Sequence, residues 1–169
     1  MKNVTTIDSS EIANYANKYL IPQKNSFVID TTYISYVYSL DSSLNQIKKN
    51  HLQPLQALYF NKTGKLISYH INCYTGGFPN LKWNRNGVFD SFPPKTQAPL
   101  DTIFTYNDIK KFVKDINDDK NAEYNILVFW NIAMGRQSKR LIKIVNENAK
   151  LADKSINIIY VNNDDIYLK

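Results

Sequence analysis

The chain has one cysteine, Cys73, among 169 residues. A single thiol excludes an internal disulfide and a thiolate zinc site. It does not select a compartment, because a chain without disulfides folds in either redox environment. Two histidines, His51 and His70, and the acidic pairs Asp118-Asp119 and Asp164-Asp165 fall in no recognised ligand spacing, so no metal is expected. The acidic pairs sit where a helix and a strand should end, and are expected to be solvated termini. G-x-S-x-G, the phosphate loop and the dinucleotide fingerprint are all missing, so no catalytic residue and no cofactor is predicted. Gly76-Gly77 and Gly87 are loop glycines with no motif around them. No apolar run approaches the roughly 20 residues that span a bilayer. No like-charge block, internal repeat, low-complexity tract or dividing linker interrupts the chain.

What is present fits one domain of ordinary size, since 43% hydrophobic content can build a core. The N-terminal stretch "MKNVTTIDSSEIANYANKYL" turns polar at once and carries no signal-peptide core. Localisation stays open, because a processed periplasmic or lipoprotein form is compatible with that stretch. The net charge of +6 permits an anionic partner. Lysines are spread along the whole chain, however, and basic charge alone supplies only non-specific attraction to nucleic acid. A partner protein with an acidic surface is the better expectation.

Along the chain, Asp8 and Glu11 resemble a capping box, followed by Ile12, Tyr15, Ala16, Tyr19 and Leu20 at helical spacing. "SFVID" and "TTYISYVYSL" are rich in β-branched and aromatic residues and predict one long or two short strands. "DSSLNQIKKNH" predicts a short helix capped by Asp41 or Ser42. "LQALYF" and "KLISYHINCY" flank a turn at Gly64 and predict a hairpin over residues 55–73. On its second strand Ile67, Tyr69, Ile71 and Cys73 should share an apolar face, with Leu66, Ser68, His70 and Asn72 opposite. This arrangement makes Cys73 a core thiol, and places His70 on the other face. Residues 74–100 form a long loop without periodicity, a length found in functional or disordered segments. "TYNDIKKFVKDIND" predicts a helix with Ile109, Phe112, Val113 and Ile116 on one side. "YNILVFW", "GRQSKRLIKIVNENAK" and "INIIYVNND" then predict a buried strand, a helix and a second buried strand, hence a right-handed parallel crossover. The expected domain is therefore α/β, with a mixed sheet. Residues 1–73 supply a helix and antiparallel strands, 74–100 an aromatic-rich loop, and 101–169 the helix-strand-helix-strand part.

The pattern over residues 105–163 resembles the thioredoxin-like superfamily, in particular its exported thiol-disulfide reductase branch. Those proteins place Cys-x-x-Cys after a strand ending in Phe-Trp, at the N-terminus of the next helix, where the helix dipole activates the thiolate. Matching Phe129-Trp130 to that Phe-Trp puts Met134 and Gln137 at the cysteine positions; matching "SKRLIK" puts Ser138 at the second. Neither register contains a thiol, so the resemblance implies a scaffold without the redox reaction. The family also carries a cis-proline and a hairpin after the crossover. This chain has no proline after Pro99, so the hairpin at 55–73 is the candidate for that place in the sheet.

Two surfaces are candidates for binding. Arg136, Lys139, Arg140 and Lys143 line the polar side of the helix, and Gly135 at its start allows a carboxylate or phosphate to approach free N–H groups. The long loop carries Tyr74, Phe78, Trp83, Phe89 and Phe92 with Lys82 and Arg85, the mixture that interface hot spots favour. The alternative is that the loop's rings fold back over the sheet edge. The reading that follows is a non-catalytic binding module, in a specialised form an immunity-type protein that blocks one toxin. An enzyme built on Cys73 or a histidine, or an anion or nucleic-acid binder, is the alternative.

Overall fold

The computed structural model describes residues 7–72, 82–116 and 119–167. Helix α1 (Ser9–Lys18) starts at Asp8, whose carboxylate accepts the Ser10 N–H at 3.2 Å. That bond satisfies one of the donors a helix start leaves orphaned. Ile12 and Ala16, one turn apart, are its buried residues. A short strand, β1 (Ser26–Val28), follows. The next stretch departs from the expected strand: it is helix α2 (Thr32–Ser39). The Asp30 carboxylate accepts both the N–H and the hydroxyl of Thr32, at 2.9 and 2.8 Å, and turns the chain out of the extended conformation. Tyr33 and Val37, four residues apart, then bury the face of α2 that meets the core. Here packing outweighs β-propensity.

Asp41 accepts the Ser43 N–H at 2.8 Å and opens a 3-10 turn (Ser42–Leu44) that runs into α3 (Asn45–His51). The expected hairpin is formed by β2 (Gln56–Asn61) and β3 (Leu66–Ile71), with Gly64 at φ 81° in the turn. Its faces differ from the expected alternation. Phe60 pairs with Leu66 but Tyr59 with Ser68, so Ile67 is bulged and the side-chain alternation shifts by one. Leu66 thereby joins Tyr69 and Ile71 in one core, while Ile67 packs against the other.

Helix α4 (Tyr106–Lys110) begins at a Thr105–Asp108 capping box and ends earlier than its sequence pattern suggests. The Phe112 carbonyl accepts the Asp30 N–H at 2.7 Å, and Val113 bridges to Ile29. Main chain committed to another segment cannot continue the helical ladder. Strand β4 (Tyr124–Trp130), helix α5 (Gly135–Ala149) and strand β5 (Ile156–Asn162) follow, with the short α6 (Asp164–Tyr167) after them.

The result is a mixed α/β fold. Its five-stranded sheet has the order β1-β5-β4-β2-β3, with β1, β5 and β4 parallel and β2 antiparallel to both β4 and β3. One face carries residues from α2 and α4, including Tyr33, Val37 and Ile109. The other carries Ile12 and Ala16 of α1, Leu141, Ile142 and Val145 of α5, and Trp83 and Phe89. Covering both faces explains why β4 is apolar almost throughout. Cys73, Tyr74, Gly76, Gly77, Phe78 and Asp118 lie outside the described residues. Among the described residues no helix is long and apolar enough to cross a membrane.

A basic groove between the aromatic loop and α5

The turn from β4 to α5 is closed by the protein's own side chains. Asp164, at 1% exposure, accepts the Ile132 N–H on both carboxylate oxygens, at 3.0 and 2.9 Å. It also accepts Asn162 Nδ2 at 2.7 Å. Asn131 Oδ1 accepts the Met134 N–H at 2.8 Å, and the Ser138 hydroxyl donates to the Asn131 carbonyl at 2.7 Å. Asp164 is thus no solvated strand end, as its sequence position suggested, but a buried side chain that caps the turn leading into α5. Gly135 does permit a close approach, and the approaching group is Tyr19: a Cβ at position 135 would meet the tyrosine hydroxyl at 2.6 Å. Burial raises the pKa of that phenol, so it stays protonated beside the helix start. Of the residues at the two matched cysteine positions, Met134 is half-buried, Gln137 is half-buried and Ser138 is buried.

One turn further along α5 the loop and the helix meet. The Trp83 indole N–H donates to the Gln137 carbonyl at 3.3 Å, and Asn148 Nδ2 donates to the carbonyls of Phe89 and Ser91, both at 2.7 Å. The loop is braced from within as well: Asn84 Nδ2 donates to Asp90 at 2.8 Å, and Asn84 Oδ1 accepts the Phe89 N–H at 2.8 Å. Lys82, Trp83, Asn84, Arg140, Lys143, Ile144 and Glu147 line a groove of about 360 Å³ between the two elements. Three of these side chains are cationic and one is anionic, with Lys143 Nζ 3.8 Å from Glu147. Trp83 and Ile144 supply apolar surface between the charges. Cationic side chains beside apolar surface suit an anionic group of a partner.

The structure therefore brings Trp83 and Arg140 together and separates the remaining candidates. Trp83 and Phe89 are 3% and 2% exposed, so both rings fold inward. Phe89 lies against the His70 ring at 4.4 Å between centroids. Arg85 is exposed in a 3-10 turn (Arg85–Gly87) and does not line the groove. Gly135 and Arg136 stand at the start of α5, also outside it. Lys143, Ile144 and Glu147 complete the groove. Lys143 was grouped with the basic face in the sequence, whereas Ile144 and Glu147 carried no signal beyond their position one turn from Arg140.

Two buried histidines have polar partners. His51 Nε2 is 2.8 Å from Asp101 Oδ2, and its ring stacks on Phe104 at 3.7 Å. Ser68 Oγ is 2.9 Å from His70 Nε2. Burial pushes the His70 imidazole down to about 4, with a Gln97 hydrogen bond acting in the opposite sense. A hydroxyl beside an imidazole is the chemistry of an activated nucleophile, but Ser68 and His70 are both fully buried and no reactant reaches them. Among the described residues no group of three or more His, Cys, Asp or Glu is placed to hold a metal ion. Comparison with family models, curated proteins and solved structures returns no match.

Proposed function

We propose that the chain is a non-catalytic, thioredoxin-like binding module whose basic groove takes an acidic segment of a partner protein. The observation that carries this reading is the convergence of Lys82, Arg140 and Lys143 around Trp83 and Ile144, between α5 and a loop pinned to it by side-chain hydrogen bonds to main-chain carbonyls. A pinned loop loses little freedom on binding, which removes part of the ordinary cost of association. The thioredoxin-like part of the reading draws support from the hairpin, which pairs with β4 although it precedes the crossover in the chain. An immunity-type protein that blocks one toxin is the specialised form of this function, since a preformed cationic groove suits fast capture of an acidic target.

Arg140→Glu combined with Lys143→Glu tests the reading. Both side chains are exposed, so the fold should keep its melting temperature. Partners captured from native extract by the wild-type protein should bind the variant with slower association and a flatter salt dependence. Arg136→Glu, outside the groove, should have the smaller effect. Equal association rates for wild type and the double variant would sink the proposal.

A further inference from the structure

The basic groove is not uniformly basic, and its charges are ordered. Arg140, Lys143, Ile144 and Glu147 follow one another at helical spacing, so they form one stripe along α5. Lys82 stands beside Trp83, whose indole reaches the Gln137 carbonyl near the start of the helix. The later part of the loop, at Phe89 and Ser91, is held by Asn148, the residue after Glu147. Loop and helix therefore run side by side in the same direction. Lys82 and Arg140 mark the end of the groove toward the helix start, and Glu147 marks the other end. Ile144 and Trp83 supply the apolar surface between them.

Among the described residues, Glu147 is the only acid that lines the groove. Its contact with Lys143 is long, at 3.8 Å, and the two side chains are 52% and 74% exposed. An exposed pair one helical turn apart holds its members weakly. Glu147 can therefore receive a cation from outside, and it repels a second anion placed beside it. Arg140 and Glu147 are seven positions apart on α5. That separation is a rise of roughly 10 Å, which an extended chain covers in about three residues.

We propose that Glu147 sets the specificity of this groove. The segment of a partner protein that fits it is extended and carries two opposite charges: an acidic residue for Lys82 and Arg140 and, about three residues away, a basic residue for Glu147. The proposal rests on the reading of the groove as a site for an acidic segment, and adds the second charge to it. A side chain between the two charges meets Ile144, so an apolar residue suits that place. A segment that is acidic throughout, or a nucleic-acid strand, sets an anion against Glu147 and is disfavoured.

The test selects a displayed random-peptide library on the full wild-type chain and on Glu147→Lys, then titrates the selected synthetic peptides at low and high salt. Glu147→Lys should keep the melting temperature, because the side chain is exposed. The wild type should enrich peptides that hold an acidic and a basic residue about three positions apart. Replacing the basic residue of such a peptide by aspartate should weaken its binding to the wild type about three- to fivefold, on the order of an exposed charge pair. Glu147→Lys should reverse that preference, Glu147→Gln should abolish it, and salt should shrink it. Should Glu147→Lys fail to fold, the peptide series on wild type and Glu147→Gln carries the test. Enrichment of acidic peptides without a basic residue, or one preference shared by wild type and the Glu147 variants, would overturn the proposal and leave the acidic-segment reading standing. Selected peptides that bind Arg140→Glu as tightly as wild type, or no enrichment of acidic residues at all, would overturn both.

Discussion

Asp101→Ala probes the buried hydrogen bond between His51 and Asp101. The Asp101 carboxylate accepts from His51 Nε2 at 2.8 Å and from the Ile103 and Phe104 N–H groups at 3.0 and 2.9 Å. His51 is fully buried, with its ring against Phe104 and Tyr69. Removing the acceptor strands a buried N–H donor on the neutral imidazole, at about 1–3 kcal/mol. Each of the two main-chain donors left without the carboxylate adds to that cost, at about 1–3 kcal/mol. Asp101→Ala should therefore lose at least about 3 kcal/mol in urea unfolding at neutral pH, read by linear extrapolation. His51→Phe together with Asp101→Ala removes the stranded N–H and keeps the ring stack. The double variant should be more stable than Asp101→Ala alone by about 1 kcal/mol or more. A loss below about 1 kcal/mol for the single variant, or simple additivity in the double, would refute a buried pair.

The same pair sets a pH dependence whose sign can be worked out. Burial lowers the His51 pKa below the ordinary 6.5, against the hydrogen bond and charge of Asp101. The unfolded chain then binds a proton on His51 before the folded one does, so stability falls as pH drops below 6.5 and levels off below the folded pKa. For Asp101, burial acts to raise the pKa, but hydrogen bonds from His51, Phe104 and Ile103 outweigh it and hold the group below 3.8. Its contribution is present above 3.8 and is lost as pH falls through the lower folded value. Asp30, Asp41 and Asp108 are shifted the same way, so the informative quantity is wild type minus variant. Asp101→Asn should abolish its share of the acid loss. It should also enlarge the loss that begins near 6.5, because His51 no longer has the carboxylate that raises its pKa. His51→Gln should remove that first loss. Identical pH profiles for all three proteins would show that neither group differs between folded and unfolded states.

Which elements the sequence reveals follows from where their causes lie. The apolar runs of β4 and β5, the Leu141, Ile142 and Val145 stripe of α5, and Gly64 in the hairpin turn are local signals, and each marks its element. α2 misleads because its residue types favour strands while its Tyr33–Val37 spacing serves a helix. The Ile67 bulge arises in the register of the hairpin itself, and the early end of α4 comes from main-chain pairing with a distant segment; composition records neither. The site shows the same division. Trp83 and Arg140 stand out by residue type, yet the burial of Trp83 depends on Gln137 in α5. Asp164 looks like one of two acids at a strand end until Ile132, 32 residues earlier, is brought beneath it. Around the turn into α5 this chain places Asp164, Asn131 and Tyr19.

Further expectations concern the core and the turn. Trp130→Ala, at the fully buried end of β4, should cost about 3–5 kcal/mol in urea unfolding, and a loss below about 1 kcal/mol would contradict its place beneath α5. Asp164→Ala strands the Ile132 N–H and the Asn162 amide and should cost about 2–4 kcal/mol, while Asp164→Asn should keep part of the network; equal losses would mean that the carboxylate is not its centre. Met134→Cys with Gln137→Cys should give an internal disulfide detectable by mass if the thioredoxin-like register holds, and two persistently free thiols would count against it. The last expectation separates the two roles open to Trp83. Its ring is 3% exposed and its N–H is committed to the Gln137 carbonyl at 3.3 Å, so it supports the loop that walls the groove. Trp83→Ala should lower stability by about 3–5 kcal/mol and weaken partner binding through loosening of the loop. Trp83→Phe keeps most of the ring and deletes the donor, so it should cost only about 1 kcal/mol and leave binding nearly intact. An exposed anchor would behave differently: Trp83→Ala would then keep its unfolding free energy and speed partner dissociation. Measuring unfolding and dissociation on the same two variants decides between them, and an unchanged unfolding free energy for Trp83→Ala would refute the buried wall.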